Sequence, residues 1–343
     1  MLRISPRVFL SSCLLAAIGL LLPMRGSAGE PSRIDLSGYG LSPDRGSVAE
    51  GVFYLAGGEI AVYFDREAVM GVPGGQNLHH FVILVFNTSG QLLAQNTVSG
   101  QQDATDVHPG PSGGLIVGQE GSLRFYDSGL RWRDSMLLQP GVISVNYDRR
   151  WNQIGILRSA TQYLQTMQFL DGSTRQETAS FTLPQHRGVF VYGHQELAFD
   201  AGGRCETSTR ILSKVRSWDS LKGRPLCDLL TFLGDDEVAY VYGKQLYVAD
   251  SAGKQIAKVS LPIRLGYISP SLAGISDDSL RIAVSAMKAN TPSSDDEIVV
   301  YDLHANKIVF QESVAGSSPS ALSPDGKQFA VLNDTTLILS AVP

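Results

Sequence analysis

Chemistry in this chain of 343 residues would have to start from a small set of side chains. Six histidines are present, and His79-His80 is their one adjacent pair. The pair opens the apolar segment Phe81-Val-Ile-Leu-Val-Phe86, where strand alternation sends neighbouring rings to opposite faces. A mononuclear metal site needs three or four convergent ligands, which this pair does not supply. His108, His186, His194 and His304 are scattered along the chain. The acidic pairs Asp235-Asp236, Asp277-Asp278 and Asp295-Asp296 lack the alternating oxygen spacing of a calcium loop, and they read as solvated turn residues. Gly-x-Ser-x-Gly does not occur, and no glycine-rich phosphate loop precedes a helix. Gly71-Val-Pro-Gly-Gly75 is loop material with no helix behind it. The sequence therefore assigns no catalytic residue, no cofactor-binding residue and no metal ligand, and it calls for no cofactor.

Cysteine chemistry depends on the N-terminus. Arg3 and Arg7 precede an apolar stretch from Val8 to Leu22, Pro23 ends it, and the small residues Gly26 and Ala28 follow. That order predicts a secretory signal over residues 1–28, with export to the periplasm or the extracellular space. The apolar run falls short of the ~20 residues that span a bilayer, so no stable membrane insertion is expected after cleavage. Leu10-Ser11-Ser12-Cys13 resembles a lipoprotein cleavage box, but most of the apolar segment lies after Cys13 instead of before it. Removing the leader leaves Cys205 and Cys227. An even pair in an exported chain is a disulfide candidate, worth roughly 3 kcal/mol for a loop of about 20 residues. Two buried free thiols are the other reading.

The leader carries three of the 28 basic residues, Arg3, Arg7 and Arg25, and none of the 33 acidic ones. The remaining chain is acidic and has no Lys/Arg run to follow a phosphate backbone, which excludes nucleic acid as the expected partner. Charged residues are 18% of the chain and glycines number 35. Low charge with frequent glycine fits a tight-turned globular fold and excludes a coiled coil or a disordered chain.

The elements that would hold any site come from a repeat. A strand ending in an apolar residue, then Asp or Asn, then a Gly or Asn turn recurs at Asn87, Asp127, Asp171, Asp200, Asp250 and Asp302, with a degenerate copy at Ser340. The spacing averages about 42 residues, the period of four short antiparallel strands per propeller blade. Asp and Asn suit such turns because their side chains bond the backbone two residues on. A second repeat aligns Ser323-Pro324-Asp325-Gly326 with Ser276-Asp277-Asp278-Ser279, and Gly234-Asp235-Asp236 is a weaker copy. Each should join the first two strands of a blade. Val191-Tyr192-Gly193-His194-Gln195 echoes Val241-Tyr242-Gly243-Lys244-Gln245, read as the turn between second and third strands. The final unit lacks a fourth strand, which Arg33–Ser37 could supply. These readings predict an all-β fold, a seven-bladed β-propeller of four-stranded antiparallel blades, its ring closed by an N-terminal strand. Residues 29–343 would form this single domain.

The Ser-Pro-Asp-Gly turn with its Phe-Ala-Val strand resembles the WD40-like and YVTN-type β-propellers of exported bacterial proteins. The chain departs from true WD40 repeats, since no Gly-His opens its units and Trp218-Asp219 falls outside the repeat position. The resemblance implies a scaffold role in the cell envelope.

Irregular spacing marks candidate binding loops. One runs from Arg66 to Asn77 and leads into His79 and His80. Another runs from Lys288 to Asp295 and Asp296. Both interrupt the same strand pair, so both should lie on one face. A third excursion, Ser217 to Pro225, sits beside the cysteine pair. The expected function is an exported, non-catalytic propeller, a monomer that binds a protein, peptide or glycan and not nucleic acid. The alternative is a propeller enzyme of lyase, hydrolase or quinoprotein type, with polar groups converging at the axial mouth.

Overall fold

The computed structural model describes residues 30–43, 46–67, 78–101, 106–119, 121–161, 164–184, 189–193, 196–200, 209–213, 217–218, 229–234, 237–250, 254–262, 271–287, 295–314 and 318–343. Between 189 and 230 it describes the backbone alone. Asn77, Lys288, Cys205 and Cys227 lie outside the described residues, as does the leader over residues 1–28.

Strand β1 (Ser32–Asp35) precedes a meander of β2 (Ser47–Tyr54), β3 (Ile60–Glu67), β4 (Leu78–Phe86) and β5 (Leu92–Gln101). The next is β6 (Asp106–Pro109), β7 (Leu115–Gln119), β8 (Ser122–Tyr126) and β9 (Trp132–Leu137). A third has β10 (Val142–Asp148), β11 (Gln153–Thr161), β12 (Leu164–Asp171) and β13 (Glu177–Pro184). Shorter strands follow: β14 (Val189–Gly193), β15 (Glu196–Asp200), β16 (Thr209–Ser213) and β17 (Ser217–Trp218). Then come β18 (Leu229–Phe232), β19 (Glu237–Tyr242), β20 (Gln245–Asp250) and β21 (Gln255–Ser260). After them stand β22 (Ser271–Ile275), β23 (Arg281–Met287), β24 (Asp296–Asp302) and β25 (Lys307–Val314). The chain ends on β26 (Ser320–Leu322), β27 (Gln328–Asn333) and β28 (Thr336–Ala341). Each group of four pairs antiparallel in chain order, and β1 completes the last group by pairing with β28.

The expectation of seven equivalent blades is corrected. Six blades carry the predicted repeat, with Asn87, Asp127, Asp171, Asp250, Asp302 and Ser340 at or beside the end of the third strand. The remaining sheet, β14 to β17, breaks it. There Asp200 ends the second strand, and 191–195 joins first to second strand instead of second to third. Its last strand is only Ser217–Trp218, with two paired positions on β16. The sequence reading assumed that one turn motif always marks one place in a blade. A motif that stabilises a turn through local side-chain bonds serves any hairpin, so it does not report which strands it joins.

The packing explains the low charge. Inner strands are covered on both faces by neighbouring sheets, so they read as apolar runs instead of alternating ones, as for any strand buried on both sides. Val238–Val241, Leu246–Ala249, Phe329–Leu332 and Leu337–Ser340 are buried without a break. Val62, Phe64, Leu84 and Phe86 pack on Leu332, Leu337 and Leu339 between the first and last blades. Each such side chain contributes roughly 1.5–3 kcal/mol of burial. The outermost strands show the reverse, and β9 is exposed at every position but one.

β1 covers the edge that β28 would otherwise present. Ile34 lies opposite Leu337, and the Leu36 N–H donates to Thr335 O at 2.7 Å. Ile34 also rests on the turn at Gly90, whose φ of +83° and crowding against Ile34 Cδ1 both favour glycine.

The Ser-x-Asp repeat takes one geometry twice, between first and second strands as its sequence predicts. Ser276 Oγ donates to Asp278 Oδ1 at 2.5 Å, and Ser323 Oγ donates to Asp325 Oδ1 at 2.7 Å. The same hydroxyls accept from Arg281 N and Gln328 N, both at 2.9 Å. Each carboxylate accepts the N–H two residues on, from Leu280 and from Lys327.

Candidate functional site at the axial mouth

The first strand of each sheet stands at the inner end, and neighbouring first strands meet around an axis. In the six blades, alternation of strand direction sorts the connections into two ends. Turns joining first to second and third to fourth strands share one end. Those joining second to third strands share the other.

At the first end a cavity of about 330 Å³ opens on the axis, lined from β2, β6, β10, β18, β22 and β26 and their following turns. Its charged groups come mainly from one short segment. β10 ends at Asp148, whose carboxylate accepts the Arg150 N–H at 3.0 Å and caps a 3-10 turn over Arg149–Trp151. Asn152 closes the turn with φ +47°, a conformation that Asn tolerates better than most residues. This turn projects two adjacent arginines in different directions.

Arg149 reaches two blades that are not neighbours of its own. Its Nε donates to Asp277 Oδ1 at 2.6 Å and its Nη1 donates to Tyr54 O at 2.9 Å. Arg150 is nearly buried, at 7% side-chain exposure. It grips Asp148 with Nε and Nη2, at 3.1 and 2.7 Å, and donates from Nη1 to Phe232 O at 2.7 Å. Its guanidinium also lies 4.0 Å from the Trp151 ring centre, a cation–π contact. Because Phe232 ends β18, Arg150 bridges the two blades flanking the irregular β14–β17 sheet.

The tyrosines of the mouth are likewise engaged. Tyr147 OH donates to Asn152 Oδ1 at 3.0 Å, and burial pushes its phenol up to about 12. Tyr54 OH donates to Gln328 Oε1 at 3.0 Å, and burial, aided by the charge of Asp325, raises its phenol too. Two guanidinium groups thus meet two carboxylates, Asp148 and Asp277, and the cluster is neutral. The arrangement can tie four inner strands, β2, β10, β18 and β22, to one another, and its apolar wall of Phe53, Leu272 and Leu322 can receive a small uncharged group. Among the described residues it presents no nucleophile paired with a base.

Sequence reasoning did not find this cluster. Asp277 is the exposed turn residue expected, at 41% side-chain exposure, and it is also the partner of Arg149. The signal available was the local run Asp148-Arg149-Arg150-Trp151-Asn152, two cations beside a cap residue at a strand end.

The sequence-predicted loop residues fall at the other end. Arg66 is not in a loop: it is an exposed strand residue of β3, in register with His80. His79 is in β4, opposite Glu67 and Gly100. His80 Nδ1 lies 2.8 Å from Ser99 Oγ. Asp296 is likewise a strand residue, first in β24 and half-buried, where burial, reinforced by Asp295, raises its carboxyl despite the hydroxyl of Ser285. Asp295 precedes it and is half-buried. Among the described residues no group of three His, Cys, Asp or Glu side chains is placed to hold a metal ion.

No protein-family model matches the chain, and no curated protein resembles it in sequence. Solved structures do resemble it in shape. A chain of the mitotic checkpoint complex aligns with a TM-score of 0.53 at 16% identity, over 99% of both chains. The β-propeller domain of the trilobed protease from Pyrococcus furiosus aligns with a TM-score of 0.55 at 9% identity, over 84% of this chain and 90% of that one. The fold is a β-propeller. The Pyrococcus horikoshii acylaminoacyl peptidase aligns with a TM-score of 0.53 at 8% identity, over 83% of this chain and 49% of the peptidase. Identities this low speak for the propeller fold and not for an activity.

Proposed function

We propose that this propeller is an exported, non-catalytic scaffold of the cell envelope that holds a protein or peptide partner. The observation that carries the reading is the neutral axial mouth. In a propeller enzyme, charged groups at the mouth would be held ready for substrate, whereas Arg149, Arg150, Asp148 and Asp277 are bonded to one another and to the strands around them. Solved propellers of similar shape include a member of a multiprotein assembly, which agrees with a protein partner. Export rests on the composition of residues 1–28. The Ser-x-Asp turns, now seen to share one geometry, favour a WD40-like or YVTN-type kinship.

Chemical cross-linking of the tagged chain in a cell-envelope fraction tests the proposal. The expected result is a specific partner that rebinds when both proteins are purified and that tolerates Arg149→Gln in a folded variant. A substrate turnover abolished by Arg149→Gln at unchanged thermal stability would overturn it.

A further inference from the structure

We infer that the cleft between the β6–β9 and β10–β13 blades is the docking site for a partner segment in which a large apolar side chain stands beside a carboxylate. This rests on the scaffold reading and names the surface that serves it. The cleft opens where the shared core of these blades ends. Ile154, Ile156 and Leu170 pack there against Ile116, Leu123 and Phe125. Beyond them the walls are Met136, Leu137 and Leu138 on one side and the cross-strand neighbours Val142 and Arg158 on the other.

Three features point to a ligand. Leu137 is 88% exposed, the most exposed large apolar side chain described, and it ends β9, the outermost strand of its blade. Burying such a side chain against a partner is favourable, and leaving it in water at a cleft mouth gains nothing. The cavity measures about 210 Å³, too small for an ordinary small-molecule site of roughly 300–1,000 Å³ but enough for one large side chain.

The third feature is charge. Alternation along β11 places Arg158 on the same face as Ile154 and Ile156, so a guanidinium continues an apolar row. Its Nε is buried and has no hydrogen-bond partner among the described residues. Arg175 Nε is buried without a hydrogen-bond partner too, but the rest of that guanidinium and the acid of the cleft are engaged. Arg175 pairs with Asp134 at 2.5 Å and lies over the Phe125 ring, and Glu177 accepts from Gln168 Nε2 at 2.6 Å. A carboxylate arriving with the apolar group would satisfy the unmatched Arg158 donor, and charge-assisted bonds to Arg are among the stronger hydrogen bonds.

The test uses the full chain labelled at Leu and Met methyl groups, titrated with the acetylated, amidated peptide Ala-Asp-Phe-Asp-Ala and followed by NMR. Saturable shifts at Met136, Leu137 and Leu138 are expected. Affinity should fall about tenfold in Arg158→Gln and in Leu137→Ser, and to a similar extent for the peptide Ala-Lys-Phe-Lys-Ala. Unchanged thermal unfolding checks that each variant is folded. Absence of shifts, equal affinity for the two peptides, or equal affinity in Arg158→Gln would overturn the inference. So would concentration-dependent broadening of these methyls that Leu137→Ser abolishes, since the occupant would then be a second copy of this chain. A cross-linked partner that binds Leu137→Ser and wild type alike would remove the cleft and leave the scaffold reading standing.

Discussion

Arg149 and Asp277 are 128 positions apart in sequence, yet Nε of one donates to Oδ1 of the other at 2.6 Å across the axis of the ring. Neither residue belongs to a blade adjoining the other's. The pair is therefore a direct tie between opposite parts of the propeller, and it gives the first prediction. Replacing Arg149 by Met should destabilise by about 1–3 kcal/mol, because Tyr54 O loses its donor along with Asp277. A double-mutant cycle with Asp277→Asn, read by urea unfolding, should give a coupling of about 1 kcal/mol, held down by the partial exposure of Asp277. Strict additivity would refute a direct tie.

Arg150 should matter more than its neighbour. It is nearly buried and both grips Asp148 and bonds Phe232 O. Arg150→Ala leaves the Asp148 carboxylate uncompensated, a loss of about 3–5 kcal/mol. Adding Asp148→Asn should restore part of that stability. Calorimetry of the three variants decides the matter, and a single variant as stable as wild type would contradict the assigned bonding.

Acid should weaken the turns. Ser323 Oγ, with the Lys327 N–H, holds the Asp325 carboxyl below its ordinary value. Burial works against Asp302, but the Ala305 N–H and Arg281 lower it on balance. A carboxyl depressed in the folded state adds stability that is present above its unfolded value of about 3.9 and is lost as pH falls through the folded one. Thermal stability should drop below about pH 4, and Asp302→Asn with Asp325→Asn should flatten that drop. An equally steep profile in the double variant would count against these two groups.

Asp296 carries the opposite sign. Burial raises its carboxyl, so the ionised form costs stability at neutral pH and protonation relieves the cost. Asp296→Asn should raise the melting temperature at pH 7 and leave it nearly unchanged near pH 3. A variant less stable at pH 7 would show that the charge is used.

Closure by β1 gives a last prediction. Truncating residues 1–36 would uncover the outer edge of β28, and open edges recruit other strands. The truncated chain should melt earlier and form oligomers in size-exclusion chromatography. Ile34→Asp, which keeps the backbone pairing but loses the packing on Gly90, should lower stability without the oligomers.

Architecture was legible because it is written locally. A turn such as Ser323–Gly326 is built from side chains bonding backbone within five positions, so its sequence alone specifies it. Apolar runs such as Val238–Val241 state burial on both faces, and the segment after Arg33 states a strand in need of a partner. The same local character misled the blade count, since Asp200 ends a second strand where the other copies stand at the end of a third.

The axial mouth was not legible. Asp148, Arg149 and Arg150 look like an ordinary charged strand end, and Asp277 looks like a solvated turn, because each finds its meaning in strands about 80 to 130 positions away. Electrostatic pairing depends on distances of a few ångströms, and only closing the ring sets them. Sequence by itself determined the repeating strand-and-turn unit and the glycine-rich, charge-poor composition that follows from it. Tertiary structure decided which charges meet, which edge is covered and which arginine, Arg158, is left facing a cleft without a partner.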